Sequence, residues 1–331
     1  MLSRRTAASQ SACSSPAYRS PAYRSPAYRT AGGAMMTACF FASGVGTWDT
    51  SLTDSVVGFI VLGIVTCVAS AINSVAGGGT ILTFPILVAN LPASAVQMVT
   101  ANATSTIGLW PGAVAAAWAY RGDREKQVPW ARWLVVPSIL GAIVGSLLVL
   151  VLPMQWFNTM VPWLILVAAV LFAIQPYLSR LTAVNPTAGQ PAPAESVGYA
   201  KMAGVCVLQF LVSVYGGYFG AGIGILMLAM LGGLGLGNIH KLNAVKNVLG
   251  MLVNGVAAAA FALSSLAVPW GAIGPYSLPS CVSWPHAAVM AVSSILGGLV
   301  GSYLARLLPA TVVRQCVALI GFVLAGYYFL A

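Results

Sequence analysis

Long apolar runs dominate the chain from about residue 55 to its end. The apolar pieces occupy residues 56–76, 80–91, 94–119, 131–152, 156–178, 201–219, 223–236, 241–264, 284–305 and 311–330. Most of them are long enough to cross a hydrocarbon core of ~30 Å as an α-helix. Alternating ten-residue segments of the β-barrel kind are absent from the sequence. The pattern therefore predicts an all-α, polytopic membrane protein.

Composition and charge exclude several soluble classes of protein. Hydrophobic residues make up 59% of the chain and charged residues 6%, whereas soluble proteins carry about 25% charged residues. The net charge of +10 is partly a property of the N-terminal segment, which holds five arginines, and no clustered basic face suggests nucleic acid as a partner. A cytosolic enzyme, a secreted disulfide-bonded domain and a nucleic-acid-binding protein are therefore not expected.

Residues 1–53 differ from the rest of the chain. Three copies of Ser-Pro-Ala-Tyr-Arg stand between Ser15 and Arg29. A proline at every fifth position excludes a helix, and the segment has too few large apolar residues to form a core. We expect a disordered, low-complexity tail.

The body of the chain is internally duplicated. A shift of 145 residues aligns residues 75–79 with 220–224 and Asn102 with Asn247. A shift of 156 residues aligns residues 138–146 with 294–302. A single shared glycine pair would be chance in so glycine-rich a chain, but an ordered run of matches indicates duplication. The offsets predict two membrane repeats, 54–178 and 201–331, joined by a cytoplasmic linker at 179–200.

The second apolar piece of each repeat is short. A helix of twelve residues reaches only ~18 Å, less than the membrane thickness, and a glycine-rich break precedes each short piece. Short, interrupted helices at matching places in two halves mark the substrate site of many secondary transporters, near the midplane. Each repeat has about five segments. The total is eight to ten transmembrane segments, depending on whether the short pieces span the membrane or re-enter it.

The basic residues predict that the two repeats are inverted relative to each other. The loop after the third piece of the first repeat holds Arg121, Arg124, Lys126 and Arg132, whereas its counterpart at 266–283 holds no charge. Since loops rich in lysine and arginine stay in the cytoplasm, the first loop is predicted inside and the second outside.

Polar residues within the third piece of each repeat are candidates for substrate binding. No aspartate or glutamate lies in any apolar piece, which argues against a carboxylate proton relay or sodium site. The candidates are Asn243, Lys246, Asn247 and Asn254 in the second repeat and Thr100, Asn102 and Ser105 in the first. Amides around one ammonium suit an oxyanion. Helix–helix hydrogen bonding, and a lysine that reaches the cytoplasmic surface, are the structural alternatives.

The two glycine-rich breaks are further candidates. Their residues are Asn73, Gly77, Gly78, Gly79 and Thr80 in the first repeat and Tyr218, Gly220, Gly222 and Gly224 in the second. Unwound backbone N–H groups at a helix N-terminus bind anions, although glycines also allow helices to pack closely. For the Gly141/Gly145 and Gly297/Gly301 pairs, which lie on full-length helices, we expect a packing role.

The sequence predicts no catalytic residues, no metal site and no cofactor. The six cysteines are scattered and none forms a CxxC motif. Walker A, nucleophile-elbow and HExxH motifs are also absent from the sequence. We therefore do not expect an enzyme.

Several motifs in combination resemble a known family. Residues 73–85, 100–104, 109–112 and 120–121 are similar to the first repeat of the TauE/SafE sulfite exporter family, and residues 215–224, 243–247 and 254–255 to its second. The resemblance covers about residues 55–331. It implies a multi-pass permease of the bacterial cytoplasmic membrane that carries small anions, commonly sulfite, sulfonates or related sulfur-containing or organic acids.

These observations predict a secondary transporter of small anions, with the substrate and the lipid bilayer as its partners. Two alternatives stay open: a passive anion channel, whose pore the same residues would line, and a non-transporting membrane assembly or sensor subunit. Whether the chain forms a homo-oligomer is also open at this stage.

Overall fold

The computed structural model describes residues 56–75, 77–92, 94, 96–120, 129–181, 199–233, 239–267, 281–304 and 310–330. The predicted disordered tail lies outside these ranges, as does most of the predicted linker. Helices make up nearly all of the described residues, and no strand occurs among them. The prediction of an all-α membrane protein is confirmed.

Each predicted apolar piece coincides with one helix, with ends that differ by a few residues. The first half contains α1 (Val56–Val75), α2 (Thr80–Asn90), α3 (Gln97–Ala119), α4 (Val135–Val151) and α5 (Met154–Leu181), with a 3₁₀ turn at Pro129–Leu134 before α4. The second half contains α6 (Tyr199–Tyr218), α7 (Ile223–Gly233), α8 (Ile239–Ala267), α9 (Trp284–Leu304) and α10 (Ala310–Leu330).

Five stretches within the described ranges are long and apolar enough to cross a membrane. They are Val56–Val75, Ala131–Val151, Met154–Ile174, Leu242–Ser265 and Trp284–Tyr303. On α1, Ile60, Ile64 and Val68 form an exposed apolar stripe at helical spacing, a surface that suits contact with acyl chains. The protein therefore crosses the membrane several times.

The fourth helix of each half packs against the other half. Helix α9 packs on α1 and α3, and α4 packs on α6 and α8. The glycine pairs make these contacts: Gly297 and Gly301 lie against the backbone of α1, and Gly141 and Gly145 against the backbone of α6. Their predicted packing role is confirmed. The contacts are reciprocal, because the fourth helix of each half packs on the first and third helices of the other half. That the two halves run in opposite directions through the membrane stays a prediction.

Hydrogen bonds fix α1, α3 and α9 to one another. The Ser70 hydroxyl donates to the carbonyl oxygen of Ser294 (2.7 Å), and the Gly112 N–H donates to the Ser294 hydroxyl (3.1 Å). Pro111 has no N–H to bond within α3, and the Gly112 amide beside it bonds across the interface. These contacts hold the later turns of α3 beside the end of α1.

The short second helices are confirmed. Both α2 and α7 contain 11 residues and reach only ~16 Å. Helix α2 is almost entirely buried, so it lies inside the bundle. The glycine breaks that precede α2 and α7 are consequently inside the protein as well.

Candidate functional site

The two glycine-rich breaks touch each other. A Cβ atom built on Gly77 would lie 2.5 Å from the Gly224 Cα, and one built on Gly78 would lie 2.9 Å from the Gly222 amide nitrogen. Gly77 and Gly78 also have φ angles of 73° and 124°, which L-residues rarely adopt. Only glycine fits here, because backbone from one half passes directly over backbone from the other.

Asn73 fixes the shape of the first break. Its side-chain oxygen accepts a hydrogen bond from the Gly78 N–H (2.9 Å), and its carbonyl oxygen accepts one from the Gly77 N–H (3.0 Å). The amide side chain thus replaces a backbone partner where α1 has ended. The bonds leave α2 to begin at Thr80 along a new direction.

Lys246 lies inside the protein and binds the end of α1. Its side chain is 2% exposed, and its Nζ donates to the carbonyl oxygens of Ser74 (3.2 Å) and Val75 (3.3 Å). These carbonyls belong to the last turn of α1, where the helix dipole is negative. The alternative in which Lys246 reaches the cytoplasmic surface is therefore wrong, because the helix end in the interior holds its ammonium.

A small cavity adjoins this ammonium. Its volume is about 20 Å³, which is room for about one water molecule. Both halves contribute to its lining, which consists of Asn73, Ser74, Gly77, Ala113, Ala116, Ile223, Gly224, Lys246, Asn247, Gly250, Met251 and Asn254. A Cβ built on Gly250 would have no neighbour within 4 Å, so this face of α8 borders open space.

One hydrogen-bond donor at the cavity has no partner. Asn247 is 6% exposed, and its Nδ2 is buried without an acceptor. Leaving a buried N–H group unbonded is costly. Asn247 also belongs to the cavity lining.

The predicted site residues divide into two groups. Those that line the cavity are Asn73, Gly77, Gly224, Lys246, Asn247 and Asn254. Those outside its lining are Gly78, Gly79, Thr80, Thr100, Asn102, Ser105, Tyr218, Gly220, Gly222 and Asn243. Several of the second group bond to the protein itself: Asn102 Nδ2 donates to the Tyr218 carbonyl oxygen (3.0 Å), and the Ser105 and Thr83 hydroxyls are 2.6 Å apart.

The sequence reasoning missed the apolar part of the lining. Ala113, Ala116, Ile223 and Met251 border the cavity, but small and apolar residues in a membrane helix give no chemical signal of their own. Met251 could have been found from its spacing, because it follows Asn247 by four residues and so lies on the same face of α8 as Asn247.

The described part of the protein contains no carboxylate side chain. The acidic residues of the chain are Asp49, Asp54, Asp123, Glu125 and Glu195, and all lie outside the described ranges. Within those ranges no three histidine, cysteine or acidic side chains are grouped closely enough to hold a metal ion. Among the described residues, the ammonium of Lys246 and the amides of Asn73, Asn247 and Asn254 are the charged and amide groups of the cavity lining.

Sequence comparison assigns the family. A model of the family described as Sulfite exporter TauE/SafE matches residues 60–328. The chain belongs to this family. The TauE/SafE match covers every helix described above apart from the first turn of α1 and the last residues of α10, so it includes the whole cavity lining. The protein is accordingly a multi-pass cell-membrane transporter and not an enzyme.

Curated relatives are named in the same terms. A "Probable membrane transporter protein" of Haemophilus influenzae is 28% identical over 82% of this chain and 95% of its own length. "Probable membrane transporter protein ORF9" of Sinorhizobium sp is 24% identical over 78% of this chain and 87% of its own length. "Probable membrane transporter protein YfcA" of Escherichia coli is 24% identical over 80% of this chain and 87% of its own length. No solved structure matches the chain.

Proposed function

We propose that this TauE/SafE family member is a secondary transporter of small anions, with sulfite, sulfonates or related sulfur-containing or organic acids as cargo. One observation carries the proposal: a buried ammonium and an unpartnered amide donor border the same cavity. The substrate would bind between Lys246 and Asn247 on α8 and the first glycine break.

The sign of the charge supports an anion. Lys246 is buried, and the carbonyl oxygens that it contacts are dipoles without full charge. Every acidic residue of the chain lies outside the described helices. A buried ammonium that borders a cavity attracts an anion, and the lack of acidic residues in the described helices disfavours a carboxylate-based proton or sodium relay.

The shape of the cavity supports a transporter over an open channel. A volume of about 20 Å³ holds about one water molecule, which is too little for a conducting anion path. Because α1 and α3 of the first half and α7 and α8 of the second all border it, rocking of one half against the other would widen the cavity on one side.

The proposal is tested in proteoliposomes with labelled sulfite and methanesulfonate. We expect saturable uptake and counterflow for the wild-type protein, and loss of both in Lys246→Ala and in Lys246→Met, which keeps the length of the side chain without its charge. Arg132→Ala removes an exposed cation in the 3₁₀ turn before α4 and should transport like the wild type.

Monodisperse elution in detergent shows that each variant is folded. Wild-type flux in a folded Lys246→Met protein would defeat the proposed role of the ammonium. Flux that neither saturates nor supports counterflow would identify a channel instead of a transporter.

A further inference from the structure

We propose that the second glycine break holds a binding site for a sodium ion, formed by the Gly216 carbonyl, the Thr80 hydroxyl and the Asn254 amide oxygen. The three groups belong to α6, α2 and α8, and they meet at Gly220. The existence of the site does not depend on the proposed function, whereas its use in transport rests on that function.

Three oxygen atoms surround the side-chain position of Gly220. A Cβ atom built on this glycine would lie 3.2 Å from the Gly216 carbonyl oxygen and 3.7 Å from both Thr80 Oγ1 and Asn254 Oδ1. Apart from the residues next to Gly220 in the chain, these are the three nearest atoms. The space beside this glycine is therefore bordered first by oxygen and not by carbon.

The Gly216 carbonyl lacks its usual helix partner. In a continuing α-helix it would accept a hydrogen bond from the Gly220 N–H, but that N–H donates to the Tyr215 carbonyl oxygen instead (3.3 Å). The carbonyl belongs to the last turn of α6, where the helix dipole is negative. In secondary transporters, the C-terminal ends of interrupted helices supply carbonyl ligands for sodium.

The two side chains supply further oxygen ligands. Thr80 is 7% exposed, and no group of the described residues forms a hydrogen bond with its hydroxyl or with the Asn254 amide. Leaving a buried hydroxyl unbonded is costly. A cation bound beside Gly220 would coordinate the hydroxyl oxygen, the amide oxygen and the carbonyl together.

The charges at this point favour a monovalent cation. All three ligands are neutral, and the described helices contain no carboxylate. Calcium and magnesium sites use carboxylates to balance the two charges of the ion, so a divalent ion would be poorly compensated here. Since sodium can be bound by neutral oxygens alone, the lack of acidic residues in these helices does not disfavour this site.

Asn254 connects the sodium site with the cavity beside Lys246. Its side chain lies against the Gly220 position and also belongs to the cavity lining. A sodium ion held by Asn254 would place a positive charge next to the cavity, where it would favour the binding of an anion. We therefore expect the two ions to be carried together, with the sodium gradient driving the anion.

The first experiment measures binding of radiolabelled sodium to the purified full-length protein in detergent, without any anion substrate. We expect saturable binding by the wild type. Thr80→Val keeps the shape of the side chain but removes the hydroxyl, and it should weaken binding at least about tenfold, since even indirect partners of a metal ligand change affinity by about 10–100-fold. Thr80→Ser keeps the hydroxyl and should restore binding.

Thr66→Val is the matched control. Thr66 is 0% exposed, and its hydroxyl is also buried without a partner, but it lies in the middle of α1. This variant should bind sodium like the wild type. An equal loss in Thr66→Val, undiminished binding in a folded Thr80→Val protein, or no saturable binding by the wild type would overturn the site.

A second variant tests the site by strengthening it. Asn254→Asp replaces the amide oxygen by a carboxylate oxygen of the same reach, and the charge of the ligands raises affinity for a bound cation. We expect sodium to bind about tenfold more tightly above neutral pH, which corresponds to about 1.4 kcal/mol. Unchanged sodium affinity in a folded Asn254→Asp protein would count against the site even if Thr80→Val does not fold.

The last experiment tests the use of the site in transport. Proteoliposomes with the full-length protein take up labelled methanesulfonate under an inward gradient of sodium chloride or of choline chloride. We expect initial uptake to be about tenfold faster with sodium, within the range typical of coupling between two sites. Thr80→Val should remove this difference, and Thr66→Val should keep it.

The outcomes separate the inference from the proposed function. Equal uptake with sodium and with choline overturns the coupling and leaves the anion transporter standing. Uptake of no small anion with either cation defeats the proposed function, while the binding of radiolabelled sodium still decides whether the site exists.

Discussion

Asn102 and Asn247 occupy equivalent positions in the two halves but differ in their hydrogen bonds. Asn102 Nδ2 donates to the Tyr218 carbonyl oxygen at the end of α6, whereas Asn247 Nδ2 is buried without a partner. We expect Asn102→Leu to lower the free energy of unfolding by about 1–3 kcal/mol, since it leaves a buried carbonyl without its donor. Asn247→Leu should leave stability unchanged or raise it, because it removes an unsatisfied group, while it weakens anion transport. Unfolding in detergent and flux in proteoliposomes measure the two effects.

Equal losses of stability in the two variants would show that the Asn247 donor already has a protein partner.

The two asparagines also illustrate how much of the candidate site the residue types alone predict. Both asparagines were predicted as site residues for the same reason, that amide donors around one ammonium suit an oxyanion. The sequence does not tell which of the two donates to the end of a neighbouring helix, because that depends on tertiary packing. Lys246 was predictable as a buried charge, but its contact with the end of α1 was not.

Helix α8 offers a test of the cavity at the scale of an element. Gly250 lies within this helix and faces the cavity, with open space where a Cβ would be. Alanine is more favourable than glycine inside a helix by up to about 1 kcal/mol, so Gly250→Ala should raise the free energy of unfolding. Its methyl group would occupy the cavity, and transport should fall. The control is Gly204→Ala in α6, whose Cβ also meets nothing and whose position is exposed, so it should change stability alone.

Wild-type transport by a stabilised Gly250→Ala protein would mean that substrates do not use this cavity.

The elements themselves were largely predictable from the sequence. The lengths of the apolar runs and the positions of the glycines predicted every α-helix of the described ranges, including the short α2 and α7, because the membrane and the backbone impose those limits on any chain. The choice of partner helix was not predictable. The pair Gly297 and Gly301 indicated a close contact, but an apolar surface does not specify that α1 of the other half fills it. The apolar wall of the cavity on α3 was missed for the same reason.

At the scale of the whole molecule, each half holds the other by the same device. The third helix of one half donates a hydrogen bond to the last carbonyls of the first helix of the other: Asn102 to Tyr218, and Lys246 to Ser74 and Val75. These bonds cross the interface at which the halves would move. Each half thus supports the other in the same way, although the donor in the second half is Lys246, one position before the residue that aligns with Asn102.

The chemistry of the two halves is no longer equivalent, and this predicts how many anions one chain binds. With Asn102 aligned on Asn247, Lys246 corresponds to Ala101, Asn254 to Leu109, and the small Ala116 to Phe261. Ala101, Leu109 and Phe261 are all buried. The place beside Asn102 that corresponds to the cavity therefore has no cation, one amide fewer, and a phenyl ring where the cavity has Ala116.

We expect the purified protein to bind one methanesulfonate per chain in equilibrium dialysis. Asn247→Leu should weaken that binding, while a folded Asn102→Leu protein should bind with the affinity of the wild type. Two equivalent sites per chain would contradict the asymmetry, because a position without a cation and filled by Phe261 offers an anion neither charge nor space.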